Sequence, residues 1–344
     1  MQSNGIDLGV STGVFNPSTF VGTATGTLNN EQMISEVNTF IFTIKTDAFT
    51  AGLTTVQLPL MSIGTYNFWV DWGDGRKDYV TSFSQIYVRE TVARTHTYRT
   101  AGTYIIRITG TIRGWTYYND ATNQANKLLS IERWGCLELL YDVGDQMVFV
   151  NCVNLDLSNV KDTLNTKYLT TLIFLFWAQG GVSSLKRVNL INNWDVSKVT
   201  NISSIFSNNN LFNDFLGNWN TSSVTTMSGA FTGCSAFNQN IGSWDVSNVT
   251  TMSSMFNGAI AFNQDIGNWD IGAVTSITNF MLDKTPTTFS AANLDSIYSG
   301  WSSRPSQSNL SISFGTANYT TAGGGAGRAI LVSRGWTIVD GGGI

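Results

Sequence analysis

Four sets of side chains in this 344-residue chain are of types that do chemistry. The first is His96, the sole histidine, which excludes a multi-histidine metal centre and leaves one partner for any Ser-His or Cys-His nucleophile. The second is Cys136, Cys152 and Cys234, an odd number at unrelated spacings with no C-x-x-C, so neither a disulfide framework nor a metal knuckle is expected. The third is the carboxylate group Glu132, Glu138, Asp142 and Asp145. Glycoside hydrolysis needs two carboxyls about 5 or 9 Å apart, but no pattern here draws these four into one cleft, and they read as solvated charges. The fourth is the column Asp195, Asn220, Asp245, Asp270, in which one position recurs every 25 residues. Coils in strand register lie about 4.8 Å apart, so Asp245 and Asp270 would repel unless a cation or hydrogen bonds intervened. The expected answer is local: each side chain caps a following turn or bonds Ser197 or Ser247. A calcium-bridged ladder at Asp245 and Asp270 is the alternative.

Whatever positions that column repeats with it. Trp194, Trp219, Trp244 and Trp269 hold the same 25-residue period, as do Val199, Val224, Val249 and Val274. So do Phe206, Phe231, Phe256 and Met281, and Phe212, Phe237 and Phe262, each of the last three followed by Asn213, Asn238 or Asn263. Within a unit, Val249, Met252, Met255 and Phe256 fall at offsets that share one helical face, with Gly258 at the expected stop. One short strand plus one short helix per unit is the composition of a leucine-rich-repeat-like solenoid. A single unit cannot bury its Trp and Phe face, whereas stacked units can. Asn213, Asn238 and Asn263 are then expected to satisfy unpaired backbone groups in the turns, with exposed ligand contact as the alternative. Degenerate units precede the clean ones: "MVFVNCVNL" aligns Phe149 with Phe231 and Cys152 with Cys234, and "LIFLFWAQ" reads as another. These thiols are expected to be buried and structural.

Around the repeats the pattern changes. Residues 37–125 carry short β-branched and aromatic runs, among them "FIFTIKT", "YNFWVDW" and "TYIIRITG", with "WGDGRK" as a tight hairpin turn, and predict a small β-sandwich. Residues 1–36 read as an arm or linker. Residues 126–284 hold the repeats, and residues 285–344 predict a small α/β cap with a helix near Ser290–Ser303 and a strand at "GWTIVDGG". The fold class expected is mainly β.

Composition narrows the partners. Only 12% of residues are charged and the net charge is −4, with no Lys/Arg cluster, so nucleic acid is not an expected partner. No apolar run is long enough to span a bilayer, so no membrane insertion is expected. The encoded start has no basic region followed by an apolar one, so no Sec-type signal is expected there. No cofactor and no metal are expected.

Two resemblances add to this. "VDWGDG", "THTY" and "AGTYIIRITG" together resemble a PKD domain, whose turn would match Asp74 and Gly75 and whose later strand would match His96 and Tyr98. That resemblance implies an extracellular β-sandwich that spaces or mediates contacts. "WDVSNVTTMSSMFNGAIAFNQDIGNW" resembles the BspA-like leucine-rich-repeat surface proteins, which implies an adhesive role without catalytic machinery. Taken together with the glycine-rich ending, the set is similar to structural proteins of tailed phages, which leave the cell by lysis. The expected function is therefore a non-enzymatic virion surface protein, a decoration, fibre or spike subunit. Its arm would bind other virion proteins, and its repeats would touch a host glycan or protein in many copies. A bacterial cell-surface adhesin is the alternative.

Overall fold

The computed structural model describes residues 37–48, 50–81, 94–118, 123–140, 147–179, 183 and 185–344. The expected arm at 1–36 lies outside the described residues, as do Asp142 and Asp145.

The chain is mainly β. Strands β1 (Thr39–Lys45), β3 (Leu60–Asp71), β4 (Lys77–Thr81), β6 (Thr103–Trp115) and β7 (Leu128–Arg133) form one antiparallel sheet in the order β4-β3-β6-β1-β7. A short β8 (Leu137–Glu138) pairs parallel to β6. Thus the sheet runs past the boundary expected at residue 125. Strands β2 (Thr55–Gln57) and β5 (Thr95–Thr97) pair separately. Inward residues of the large sheet, among them Phe40, Phe42, Phe68, Val70, Ile106 and Ile108, are buried, in the alternation that a half-covered sheet imposes. The β3–β4 hairpin closes through residues 72–76, with Trp72 donating its N–H to Arg76 at 3.1 Å and with positive φ at Gly73 and Gly75. That is a five-residue loop, wider than the tight turn expected from Asp74-Gly75.

Beyond β8 the chain winds in coils. Isolated parallel bridges join Thr171 to Asn201, Asn201 to Thr226, Thr226 to Thr251 and Thr251 to Ser276. Ile202, Ser204, Phe206 and Asn208 donate their N–H groups to Thr226, Ser228, Ala230 and Thr232 of the next coil, at 2.7–3.1 Å. Met227, Gly229, Phe231 and Gly233 do the same toward the coil after it.

The short helix expected in each unit does not form, and the short strand shrinks to a single bridge. The cause is where the N–H groups go. Alternate residues donate to the neighbouring coil, and those between them (Ile205, Ser207, Asn209) donate only three residues back, so no i→i−4 ladder can run. The backbone confirms a run of turns: φ is positive at Ser204, Gly229, Ser254 and Asn279, and again at Asn208, Gly233 and Gly258. These are small or amide residues suited to that conformation. Val249, Met252, Met255 and Phe256 still point inward, because successive three-residue turns meet the same offsets.

The last coil is covered by helix α1 (Ala291–Ser302), whose N-cap Ser290 accepts from the Asn293 N–H at 3.3 Å. Strands β9 (Ser311–Ser313) and β10 (Thr337–Val339) pair in parallel. Between them the glycine-rich run, for which no helix was expected, forms helix α2 (Gly325–Ser333), which packs on α1.

Candidate functional site

The repeated columns are the feature on which a function must rest. Phe149, Phe176, Phe206, Phe231 and Phe256 form one continuous stack, with successive centroids 5.7–6.0 Å apart. This places the degenerate units in line with the clean ones. Phe212, Phe237 and Phe262 form a second stack at 5.9–6.1 Å, each 4.0 Å from the first within its own coil. Trp194, Trp219, Trp244 and Trp269 close the core on the next side, all at most 4% exposed. Trp219, Trp244 and Trp269 each donate the indole N–H to a buried carbonyl of the preceding coil, at Ile191, Leu216 and Ile241. Trp194 has no such partner among the described residues.

Asn213, Asn238 and Asn263 act along the stack. The Asn213 Oδ1 accepts from the Asn238 N–H at 2.9 Å, and the Asn238 Oδ1 accepts from the Asn263 N–H at 2.9 Å. The side chains of Gln239 and Gln264 donate to the same oxygens, so each amide carbonyl is doubly used. Helix α1 takes over the pattern. Ser290 N–H and Asn293 Nδ2 bond the Asn263 Oδ1, and the Trp301 indole bonds the Ile266 carbonyl as the next tryptophan of the column would. Sequence reasoning missed this mimicry because Trp301 falls 32 residues after Trp269 rather than 25.

Asp195, Asn220 and Asp245 each accept from the N–H and Oγ of the serine two residues on, and Asp270 accepts from the Gly272 N–H at 3.0 Å. The hydrogen bonds from Ser197 hold the Asp195 carboxyl below its ordinary range, helped by Lys198 and Lys167. Those from Ser247 do the same for Asp245. Among the described residues no three His, Cys, Asp or Glu side chains converge as around a metal. Beside this column Thr200, Thr225, Thr250 and Thr275 each donate Oγ to the carbonyl one coil back at 3.0–3.1 Å.

The residues at the interior of the turns form another column. Asn209 donates to the Phe176 and Phe206 carbonyls, Cys234 Sγ donates to the Phe206 carbonyl at 3.0 Å, and Ala259 follows. Twenty-five residues later stands Lys284, 2% exposed, with its ammonium on the carbonyls of Ala259, Ile260 and Phe262 at 2.5–3.1 Å. Burial pushes Lys284 down to about 7, and the neighbouring Asp283 carboxylate opposes that shift by favouring the charged form. Cys152 and Cys234 are buried, and burial pushes the Cys234 thiol up. Cys136 is half-buried beside the Ile108 carbonyl, its thiol also pushed up by burial.

In the sheet, Asp74 and His96 meet at 2.9 Å, with His96 stacked on Trp72 at 4.7 Å and edge-on to Tyr98. Tyr98 donates its hydroxyl to the Trp72 carbonyl at 2.9 Å. Burial tends to raise the Asp74 carboxyl, but the His96 hydrogen bond and the Arg76 N–H outweigh it and the net shift is downward. Gly75 turns the loop with φ +90°. The four residues tie the β3–β4 loop to β5, and among the described residues no serine or cysteine side chain bonds His96. Glu132 is engaged by Lys161, and Glu138 lies in the bridge to Asn165. What the arrangement offers chemically is a hydrogen-bonded, charge-poor surface whose Asn, Asp and Thr columns bond within their own coil or to a neighbour.

No helix among the described residues is long and apolar enough to cross a membrane. The family model described as "Mycoplasma protein of unknown function, DUF285" matches residues 149–294, which is the stack from its first phenylalanine into helix α1. No curated protein and no solved structure matches the chain.

Proposed function

We propose that the chain is a non-enzymatic surface protein of a phage particle, a decoration, fibre or spike subunit. In this reading residues 126–284 are a leucine-rich-repeat-like solenoid of the BspA-like kind, wound from turns rather than helices, and residues 37–125 are a PKD-like sandwich. The observation that carries it is the internal use of polar groups. Asn238, Asp245 and Thr250, three columns of one coil, each bond within the coil or to its neighbour. A surface built this way presents a fixed shape and little charge, which suits display and contact. Weak contacts repeated over many copies on a particle add through effective concentration. The arm at 1–36 would join the chain to other virion proteins, and the display face would meet a host glycan or protein.

A bacterial cell-surface adhesin is the second reading, favoured by the family description, which names a cellular organism. Immunogold electron microscopy with antibody against residues 190–284, before and after induced lysis of the source culture, separates them. Gold on released particles is expected. Gold confined to intact cell envelopes overturns the virion reading in favour of the adhesin.

A further inference from the structure

The chain has eleven tryptophans, all within the described residues, and Trp69 alone is exposed, at 38%. It stands on the outward face of β3, directly opposite Tyr79 on β4, which is 48% exposed. The two rings lie 5.0 Å apart at a 39° tilt, and Tyr79 donates its hydroxyl to Asn67 on β3, which fixes its ring. On the other flank Trp69 faces Thr109 of β6. The next row of this face pairs Asp71 with Lys77 at 3.2 Å, so the carboxylate beside the rings is neutralised within the sheet. On the β1 side the same face is closed: Thr39 and Ile41 are buried. Among the described residues only the β4-β3-β6 part is open.

We propose that this open face is a carbohydrate platform, on which Trp69 and Tyr79 stack the pyranose rings of an uncharged polysaccharide. The chemistry is specific to that class. A pyranose ring has an apolar C–H face, which covers an aromatic face, and a rim of hydroxyls, which needs donors and acceptors beside the rings. The side-chain N–H groups of Asn67, one row away on the same face, and the hydroxyl of Thr109, opposite Trp69 on β6, supply that rim. Lys77 is paired with Asp71, and Arg107 stands opposite Asp71 on β6, so the row beside the rings carries one net positive charge, too little to hold a polyanion. A cross-strand aromatic pair also steadies a hairpin, so stability and binding must be read separately. The inference goes beyond the virion reading and stands whether the chain sits on a particle or a cell.

The test is native affinity electrophoresis of the full chain through gels containing mannan, laminarin, dextran or galactan, with thermal melts of every variant. At least one polymer is expected to retard the wild type. Trp69→Ala is expected to weaken that retardation by about tenfold or more, Tyr79→Ala to weaken it as well, and Trp69→Phe to keep most of it. Ile330→Ala, at an exposed position of α2, should leave it unchanged. Absence of retardation by all four polymers, or a folded Trp69→Ala retarded like the wild type, overturns the proposal.

Discussion

Replacing Trp194 and Trp244 by phenylalanine, one at a time, isolates what an indole hydrogen bond contributes to this stack. Both side chains are 3% exposed, so the loss of ring area on going to phenylalanine is similar and largely cancels in the comparison. Their indole nitrogens differ. That of Trp244 donates to the Leu216 carbonyl at 3.0 Å, whereas that of Trp194 has no partner among the described residues. The Leu216 carbonyl also accepts from the Trp219 N–H at 3.1 Å and keeps that bond in the variant. Trp244→Phe therefore loses one net hydrogen bond, about 1 kcal/mol, while Trp194→Phe relieves a buried unpaired N–H that costs about 1–3 kcal/mol. Trp244→Phe is expected to be more destabilising than Trp194→Phe by about 2–4 kcal/mol. Urea unfolding followed by near-ultraviolet circular dichroism reads the difference, provided the two variants share a slope. Trp269→Phe, whose indole bonds the Ile241 carbonyl, should behave like Trp244→Phe. Equal cost at Trp194 and Trp244 would refute the reasoning and assign the tryptophan column to packing alone.

Three further outcomes are expected. Because burial lowers Lys284 to about 7 from its ordinary 10.5, the unfolded chain binds the extra proton between those values, and stability should rise with pH across that window. Lys284→Met should flatten the rise in a series of urea melts from pH 7 to 10, and an unchanged slope would show that the three carbonyls hold the ammonium charged throughout. Adding calcium or a chelator should leave the melting temperature where it is, because the Oδ1 atoms of Asp245 and Asp270 already accept from Ser247 and Gly272; a shift of several degrees would restore the cation ladder. Cys152 and Cys234 should resist iodoacetamide in the native protein and react on unfolding, since both are buried and the Cys234 thiol is pushed up. Rapid native labelling at either position, read by peptide mass, would contradict their burial.

Much of the stack was legible from sequence because its columns are periodic. A side chain that must meet its own copy one coil away is constrained to one size and shape, and Phe206, Phe231 and Phe256 carry that constraint openly. The backbone path was not legible. Val249, Met252, Met255 and Phe256 face inward in a helix and in a run of turns alike, and side-chain offsets cannot say whether an N–H bonds its own coil or the next. The serine and glycine at the positive-φ positions were the signal against a helix. Lys284 was discoverable, since it stands 25 residues after Ala259, but a lysine in a column of small residues reads as a solvated charge until its three carbonyls are seen. Helix α2 was hidden by its own glycines. Of these, Gly327 is required for packing: a Cβ there would lie 2.4 Å from the Tyr298 carbonyl of α1. The platform at Trp69 and Tyr79 was invisible from sequence because alternation marks which residues share a face, not which face lies open.

The direction of the hydrogen bonds between coils has a mechanical consequence. Ile202, Met227 and Met252 all donate toward the C-terminal neighbour, so the bonds lie along the axis of the stack rather than across it. Tension applied to the two ends of the stack falls equally on every coil interface, so the weakest interface opens first and the others follow in turn. Such a structure should yield as a ratchet, one coil at a time, each release paying out about 85 Å of extended chain for its 25 residues. A tether of this kind lengthens under a sudden pull while the coils not yet opened keep their shape.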